Sequence, residues 1–241
     1  MKIFIETDYT ALSKKAADVF AEELIRFPAG AFGFATGGTP VGMYDELKLK
    51  YSGGSINFSK ISAYNLDEYY PINGNDPQSY KYFMASNLFD AVNLPLQNRF
   101  IPNGEAANPE EECTAYDEMI KNSGGIKMQI LGIGNNGHIG FNEPDNYFTN
   151  TTSYVALDEN TINSNARFFD KPEDVPRFAL TIGIRTIFMA DKILLLASGE
   201  GKAKILKAAL YGKITPEVPA SVLQLHRDVT IVADKAAAKY L

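Results

Sequence analysis

Three residues that can handle protons or hydrogen bonds fall close together in "ILGIGNNGHIGFNEP", residues 130–144: Asn136, His138 and Glu143. His138 is one of only two histidines in the chain. An imidazole takes and gives a proton near neutral pH. A carboxylate five residues on can orient it or share its proton, and a nearby amide adds a hydrogen bond. The plainer alternative is a histidine that caps a turn. The run "GIGNNG" matches the dinucleotide pattern G-x-G-x-x-G in its letters. That pattern should open a long helix and be followed by an acid about 20 residues on, whereas Pro144 interrupts any helix here. The glycines, Gly137 and Gly140 among them, instead read as backbone held close to a small ligand.

Other segments carry polar residues where strands are expected to end. In "ATGGTP", residues 35–40, Thr36, Gly37, Gly38 and Thr39 precede a helix. Free N–H groups at a helix start attract an anion; otherwise the segment is a tight turn. "NLDEYY" sets Asp67 beside Glu68, either a general base or a helix cap and surface pair. Lys202 in "LASGEGKAK" falls in the first turn of a helix, where a cation opposes the helix dipole. A bound phosphate would account for it, as would ordinary surface scatter. Arg167 in "NARFF" has a fork that can grip a phosphate with two hydrogen bonds. His226 in "VLQLH" reads as structural, and Cys113, among acidic neighbours, has no encouragement to become a thiolate.

Alternating strands and helices must position these residues. "KIFIE", "AFGFAT", "SKISAYNL", "KMQILGIG", "RFALTIG", "DKILLLAS" and "DVTIVAD" read as strands, with "YVAL" as a further one. Helices are expected over "YTALSKKAADVFAEELIRF", from Thr39 as N-cap with Pro40 at the first helical position, from Pro77 through "QSYKYFMASNLFDAV", over "NPEEECTAYDEMIKNSGG", near "ENTINSNARFF" and over "GKAKILKAALYG". Fully apolar central strands in βα alternation imply an α/β fold: a single doubly wound, mostly parallel, Rossmann-like sheet with helices on both faces. No linker or repeat divides residues 1–241, so one domain is expected. Ligands in such sheets sit beyond the carboxyl ends of the strands. The polar segment from about Thr149 to Pro176 is suited to moving over that site.

Composition narrows the partners. The net charge of −6 over 241 residues argues against a nucleic-acid binder, which would be basic. No apolar run approaches the ~20 residues that span a bilayer, so no membrane partner is expected. One cysteine excludes an internal disulfide, and one cysteine with two histidines argues against zinc. The start "MKIFIETDYT" has no long apolar core after its lysine, so a cytoplasmic protein is expected.

With these residues in view, the chain resembles the glucosamine-6-phosphate deaminase family over nearly its whole length. "TGGTP", "NLDEYY", "GIGNNGHIGFNEP", "NARFF", "LASGEGKAK" and "VLQLH" stand in family order; "GHIGFNEP" is the most specific of them and "TGGTP" the least. The 6-phosphogluconolactonases resemble it around "GNNGH" but typically continue with a Ser-Leu-Phe-Pro type run, so "FNEP" favours the deaminases. The resemblance implies that glucosamine 6-phosphate and water become fructose 6-phosphate and ammonia, with no metal, nucleotide or vitamin. It assigns Asp67 the proton moved between carbons 2 and 1 and His138 the opening of the sugar ring, supported by Glu143 and Asn136. It assigns the phosphate to the "TGGTP" turn, Arg167 and Lys202.

Two departures stand out. Many members have Asp where this chain has Asn136, so an orienting role is expected of the amide. The larger members are hexamers activated by an acetylated sugar phosphate through basic residues just after "FNEP". Here "DNYFTNTTSYVAL" has no Arg or Lys, and the longer C-terminal extension is missing. A monomer or small homo-oligomer without that site is therefore expected. Two other readings remain: a lactonase or isomerase on the same fold, and a sugar-phosphate sensor of a transcription regulator. The negative charge and the assembled catalytic residues argue against the sensor.

Overall fold

The computed structural model describes residues 1–159, 161, 162, 166, 169, 171 and 174–241. A seven-stranded sheet forms its centre: β1 (Lys2–Glu6), β2 (Ala31–Phe34), β3 (Ser62–Asn65), β5 (Arg99–Phe100), β6 (Ile126–Leu131), β9 (Lys192–Ala197) and β10 (Val229–Asp234). They lie in the order β1-β10-β9-β6-β2-β3-β5, and every neighbouring pair is parallel. The inner strands are buried along nearly their whole length, as a sheet covered on both sides requires.

Helices wrap this sheet: α1 (Tyr9–Arg26), α2 (Gly38–Ser52), α3 (Tyr80–Asn87), α4 (Pro109–Asn122), α5 (Ile184–Phe188) and α6 (Ala203–Tyr211). Local chemistry starts several of them. Asp8 accepts from the Ala11 N–H to cap α1, and Asn108 caps α4 with Pro109 at its first position and Glu110, Glu111 and Glu112 in its first turn. Phe20, Phe32, Phe34, Tyr44 and Phe89 are fully buried where α1 and α2 meet the sheet; the rings of Phe34 and Phe89 meet edge-on at 5.4 Å.

The strand order has one reversal. From β2 the chain proceeds to β3 on one side; from β6 it proceeds to β9 and β10 on the other. The crevice between the carboxyl ends of β2 and β6 is therefore the topological switch point, where a ligand is expected in such a sheet. "ATGGTP" follows β2 and "GNNGHIGFNEP" follows β6.

Several expectations need correction. The mostly parallel sheet is present, but it is not the only sheet. β4 (Asp67–Tyr70), β7 (Ser153–Ala156) and β8 (Phe178–Thr181) form a second, antiparallel sheet in the order β4-β8-β7, with a small apolar cluster around Tyr69, Phe141 and Ala179. Asp67 and Glu68 do not end a strand of the main sheet; they open β4. The chain changes sheets at Leu66, whose N–H bonds the Phe34 carbonyl and whose carbonyl accepts from Ile182. The N-cap of α2 is Gly37, not Thr39, and no side chain caps that end. Pro40 still fits, because the first N–H groups of a helix have no intrahelical partner to lose. α3 begins at Tyr80 behind the N-cap Ser79, which accepts from Tyr82 N, so Pro77 lies ahead of the helix. The helix expected near residues 159–169 falls largely outside the described residues.

Candidate active site

The crevice opens into a cavity of about 920 Å³. Asp67 enters it from the strand crossing, His138 and Asn136 from the loop after β6, and Thr36 to Thr39 from the turn after β2. Lys202 and Ser198 line it from the segment after β9.

Asp67 is 5% exposed, and its buried Oδ1 accepts no hydrogen bond among the described residues. Its main chain is held by the Asn65 amide, which donates to the Asp67 carbonyl at 3.0 Å. Burial first, and then the neighbouring Glu68 charge, push the Asp67 carboxyl well above the usual carboxylate range. The carboxyl thus lines the cavity with a raised affinity for a proton.

On the other wall Glu143 stands behind the imidazole, with its Oε2 3.1 Å from His138 Nδ1. The Asn136 amide donates to the same oxygen at 2.6 Å, and the Thr161 hydroxyl donates to Oε1. Burial alone would raise Glu143, but His138, Thr161 and Asn136 together hold it below its ordinary value. A charged Glu143 accepting from Nδ1–H leaves Nε2 of a neutral imidazole with its lone pair. Asn136 also accepts from the His138 backbone N–H through Oδ1, at 3.2 Å. Gly134 packs beneath the ring: a Cβ there would stand 2.3 Å from His138 Cε1.

The rim has the makings of an anion cradle. Gly37 holds φ at +99°, a conformation that favours glycine, and directs the chain into α2. A Cβ at Gly37 or Gly38 would meet nothing within 4 Å, so the first turn of α2 is open toward the cavity. The Tyr9 hydroxyl braces that turn, accepting from Gly42 N at 2.8 Å and lying within bonding distance of the Gly38 and Thr39 carbonyls. Opposite, Asp234 at the end of β10 accepts from Ser198 Oγ at 2.6 Å and from the N–H groups of Gly199 and Ala237. This fixes the turn that leads to Lys202, which ends a short helical turn and is the N-cap residue of α6.

A family model described as glucosamine-6-phosphate isomerases/6-phosphogluconolactonase matches residues 7–232. The chain belongs to this family. A glucosamine-6-phosphate deaminase of Clostridium perfringens (strain SM101 / Type A) is 52% identical over 241 residues, covering 100% of both chains. One from Halothermothrix orenii is 50% identical over the same span, again with full coverage of both. The solved structure of a monomeric glucosamine-6-phosphate deaminase matches with a TM-score of 0.97 at 41% identity, covering 100% of both chains. A 6-phosphogluconolactonase from Trypanosoma brucei, at 16% identity and a TM-score of 0.74 over 100% and 98% of the two chains, shares the fold.

For this family member, Thr36, Gly37, Gly38, Thr39, Asp67, Asn136, His138, Gly140 and Lys202 all line one cavity, and Glu143 is bonded to one of its walls. Gly140 bridges the walls: a Cβ there would stand 3.6 Å from Asp67 Oδ2. Gly137 is the exception. It packs against Ile205 and Val218, and its carbonyl accepts from Ala220 N. Arg167 lies outside the described residues. His226 is buried, with Nε2 2.9 Å from the Ala190 carbonyl, and burial pushes the Cys113 thiol up to about 12. Sequence reasoning passed over Tyr9, Tyr80, Gly134, Thr161, Ser198 and Asp234. Gly134 was visible in the same glycine run as His138, and Ser198 and Asp234 at strand ends. Nothing in the polar surroundings of Thr161 set it apart.

Proposed function

We propose that the chain is a deaminase that converts glucosamine 6-phosphate and water into fructose 6-phosphate and ammonia. The observation that carries this reading is the pairing, in one cavity, of a buried carboxylate at Asp67, whose Oδ1 has no hydrogen-bond partner among the described residues, with a Glu143-held imidazole at His138. A lactone hydrolase needs one base to activate water. An aldose–ketose isomerisation needs a second group that lifts a proton from one carbon and returns it to the next.

The steps follow from these groups. The phosphate sits against the open first turn of α2, with Lys202 and Arg167 as its cationic partners. His138 Nε2 takes the proton of the anomeric hydroxyl and passes it to the ring oxygen, which opens the pyranose to an aldehyde. Glu143 stabilises the imidazolium that forms between these transfers, and Asn136 keeps both partners in place. The aldehyde acidifies the hydrogen on carbon 2. Asp67 removes that proton while the carbonyl oxygen takes one from the carbon-2 ammonium, giving an enolamine, and Asp67 then delivers its proton to carbon 1. The resulting imine at carbon 2 adds water and releases ammonia, which balances the reaction. A grip on the remote phosphate holds the reacting carbons within reach of Asp67.

Residues 1–241 act as one functional unit, a monomer or small homo-oligomer, and the monomeric structural relative favours the monomer. Its one cysteine, buried, suits a reducing cytoplasm. The test is to incubate the pure protein with glucosamine 6-phosphate and measure both products. Equal amounts of ammonia and fructose 6-phosphate are expected. No ammonia, with hydrolysis of 6-phosphogluconolactone instead, would overturn the reading.

A further inference from the structure

Glu68 is the other carboxylate of "NLDEYY", and the mechanism above does not use it. It is 1% exposed, yet fully engaged. Its Oε1 accepts from the N–H groups of Tyr69 at 2.9 Å and Tyr80 at 2.8 Å, and its Oε2 accepts from Lys81 N at 2.9 Å. Tyr80 and Lys81 are the first two residues of α3. Two N–H groups that no partner within the helix can satisfy are therefore met by a carboxylate from a different sheet. The third, on Tyr82, is met by Ser79. Tyr80 lines the same cavity as Asp67.

We infer that Glu68 is a positioning residue of the reaction: it fastens the first turn of α3 to the strand that carries Asp67, and its charge acts on the neighbouring carboxylate. The inference rests on the deaminase reading for what Asp67 does, but not for the coupling between the two acids. A capping side chain anywhere on the helix start would satisfy two N–H groups. Only one at position 68 also sets a negative charge beside the proposed base, in a region that excludes water and so strengthens the repulsion. Burial pushes Glu68 up to about 7, while the three N–H donors and the Lys81 charge pull the other way.

The ionisable neighbours are few. Burial pushes up the hydroxyls of Tyr44 of α2, Tyr80 of α3 and Tyr116 of α4, and the Asp67 charge acts on each in the same direction. His138 and Lys202 lie on the same cavity. Glu68 itself faces Tyr69, Tyr80 and Lys81, and across β8 it is paired with Leu180, which does not titrate.

Three variants test this. Glu68→Gln removes the charge, Glu68→Asp keeps the charge but withdraws from α3, and Ser79→Ala loosens the same helix start without touching Glu68. The Asp67 carboxyl is titrated by carbon-13 NMR in each, alongside kcat and KM against pH and a melting curve. In Glu68→Gln the Asp67 midpoint is expected to fall, and the acid limb of kcat/KM to move to lower pH with it. In Glu68→Asp the midpoint stays high while kcat falls about 10- to 100-fold, the scale of a small misplacement. Ser79→Ala lowers the melting temperature and leaves the midpoint in place. An unchanged Asp67 midpoint in Glu68→Gln, or one equally changed in Ser79→Ala, would overturn the inference. So would wild-type kcat in Glu68→Asp. A wild-type protein that released no ammonia would defeat the functional reading instead, and the NMR titration would still decide whether Glu68 governs Asp67.

Discussion

Asp67 and His138 obtain opposite properties from their surroundings. Asp67 is buried beside the Glu68 charge, with no partner for Oδ1 among the described residues, so its charged form is disfavoured and its basicity rises. His138 is braced from behind by a carboxylate that also accepts from Asn136 and Thr161. Asp67→Asn removes the proton carrier and keeps the shape. Its kcat is expected to fall by about 10²–10⁴, the usual worth of a general base, with KM for the sugar phosphate little changed. The same variant should melt higher at pH 8. A carboxyl whose folded value is raised binds its proton more tightly in the fold than in the unfolded chain. It favours the fold at acid pH and loses that benefit as pH rises from the ordinary carboxylate range through the raised value. An amide avoids that loss. A melting curve at pH 8 and at pH 5 checks both signs: the gain should shrink at pH 5. At this scale the sequence was most readable where neighbours in the chain are also neighbours in space. Asn136, His138 and Glu143 are within eight positions and form one hydrogen-bonded set. Thr161 is 18 positions from Glu143, and only the fold brings its hydroxyl there.

Turns between elements place these side chains, and two of them make distinct predictions. Gly134 leaves room for the imidazole, because a Cβ would stand 2.3 Å from it. Gly134→Ala should displace His138 and lower kcat about 10²-fold while KM stays near wild type, as steady-state kinetics would show. Asp234 holds the Ser198–Gly199 turn from the end of β10. Asp234→Ala should loosen that rim and raise KM about tenfold, roughly the loss of one charge-assisted hydrogen bond, with kcat reduced less. A fall in kcat at unchanged KM would place Asp234 elsewhere in the account. Strand and helix identities were legible from hydrophobic period. The second sheet was not, because "SKISAYNL" reads as a strand that ends at "DEYY", and nothing local marks a new strand beginning at Asp67. Its break at Leu66 depends on bonds to Phe34 and Ile182 on other elements. For the same reason the start of α3 was misread: Glu68, from a distant strand, satisfies N–H groups that local sequence leaves open.

Across the whole molecule, the parallel sheet converts sequence order into a site. Its reversal between β2 and β6 opens the crevice, and the loops that follow those two strands supply the cradle and the imidazole. That crevice needs a rigid floor. Phe34, the last residue of β2, is fully buried against Phe20, Tyr44 and Phe89. Phe34→Ala should lower unfolding stability by about 3–5 kcal/mol, seen as a lower urea midpoint, and should weaken activity through the turn that follows it. The alternation of elements made the sheet's parallel character readable, whereas its strand order is a property of long-range pairing that no local pattern carries. The central claim is that one buried carboxylate moves a proton between adjacent carbons in a cavity where a separate imidazole opens the ring. Glucosamine 6-phosphate deuterated at carbon 2 tests it directly, with the label followed by NMR into carbon 1 of fructose 6-phosphate. The wild-type protein should deliver label to carbon 1 and release ammonia, while Asp67→Asn should do neither at a comparable rate. Label transfer by Asp67→Asn at the wild-type rate would contradict the account.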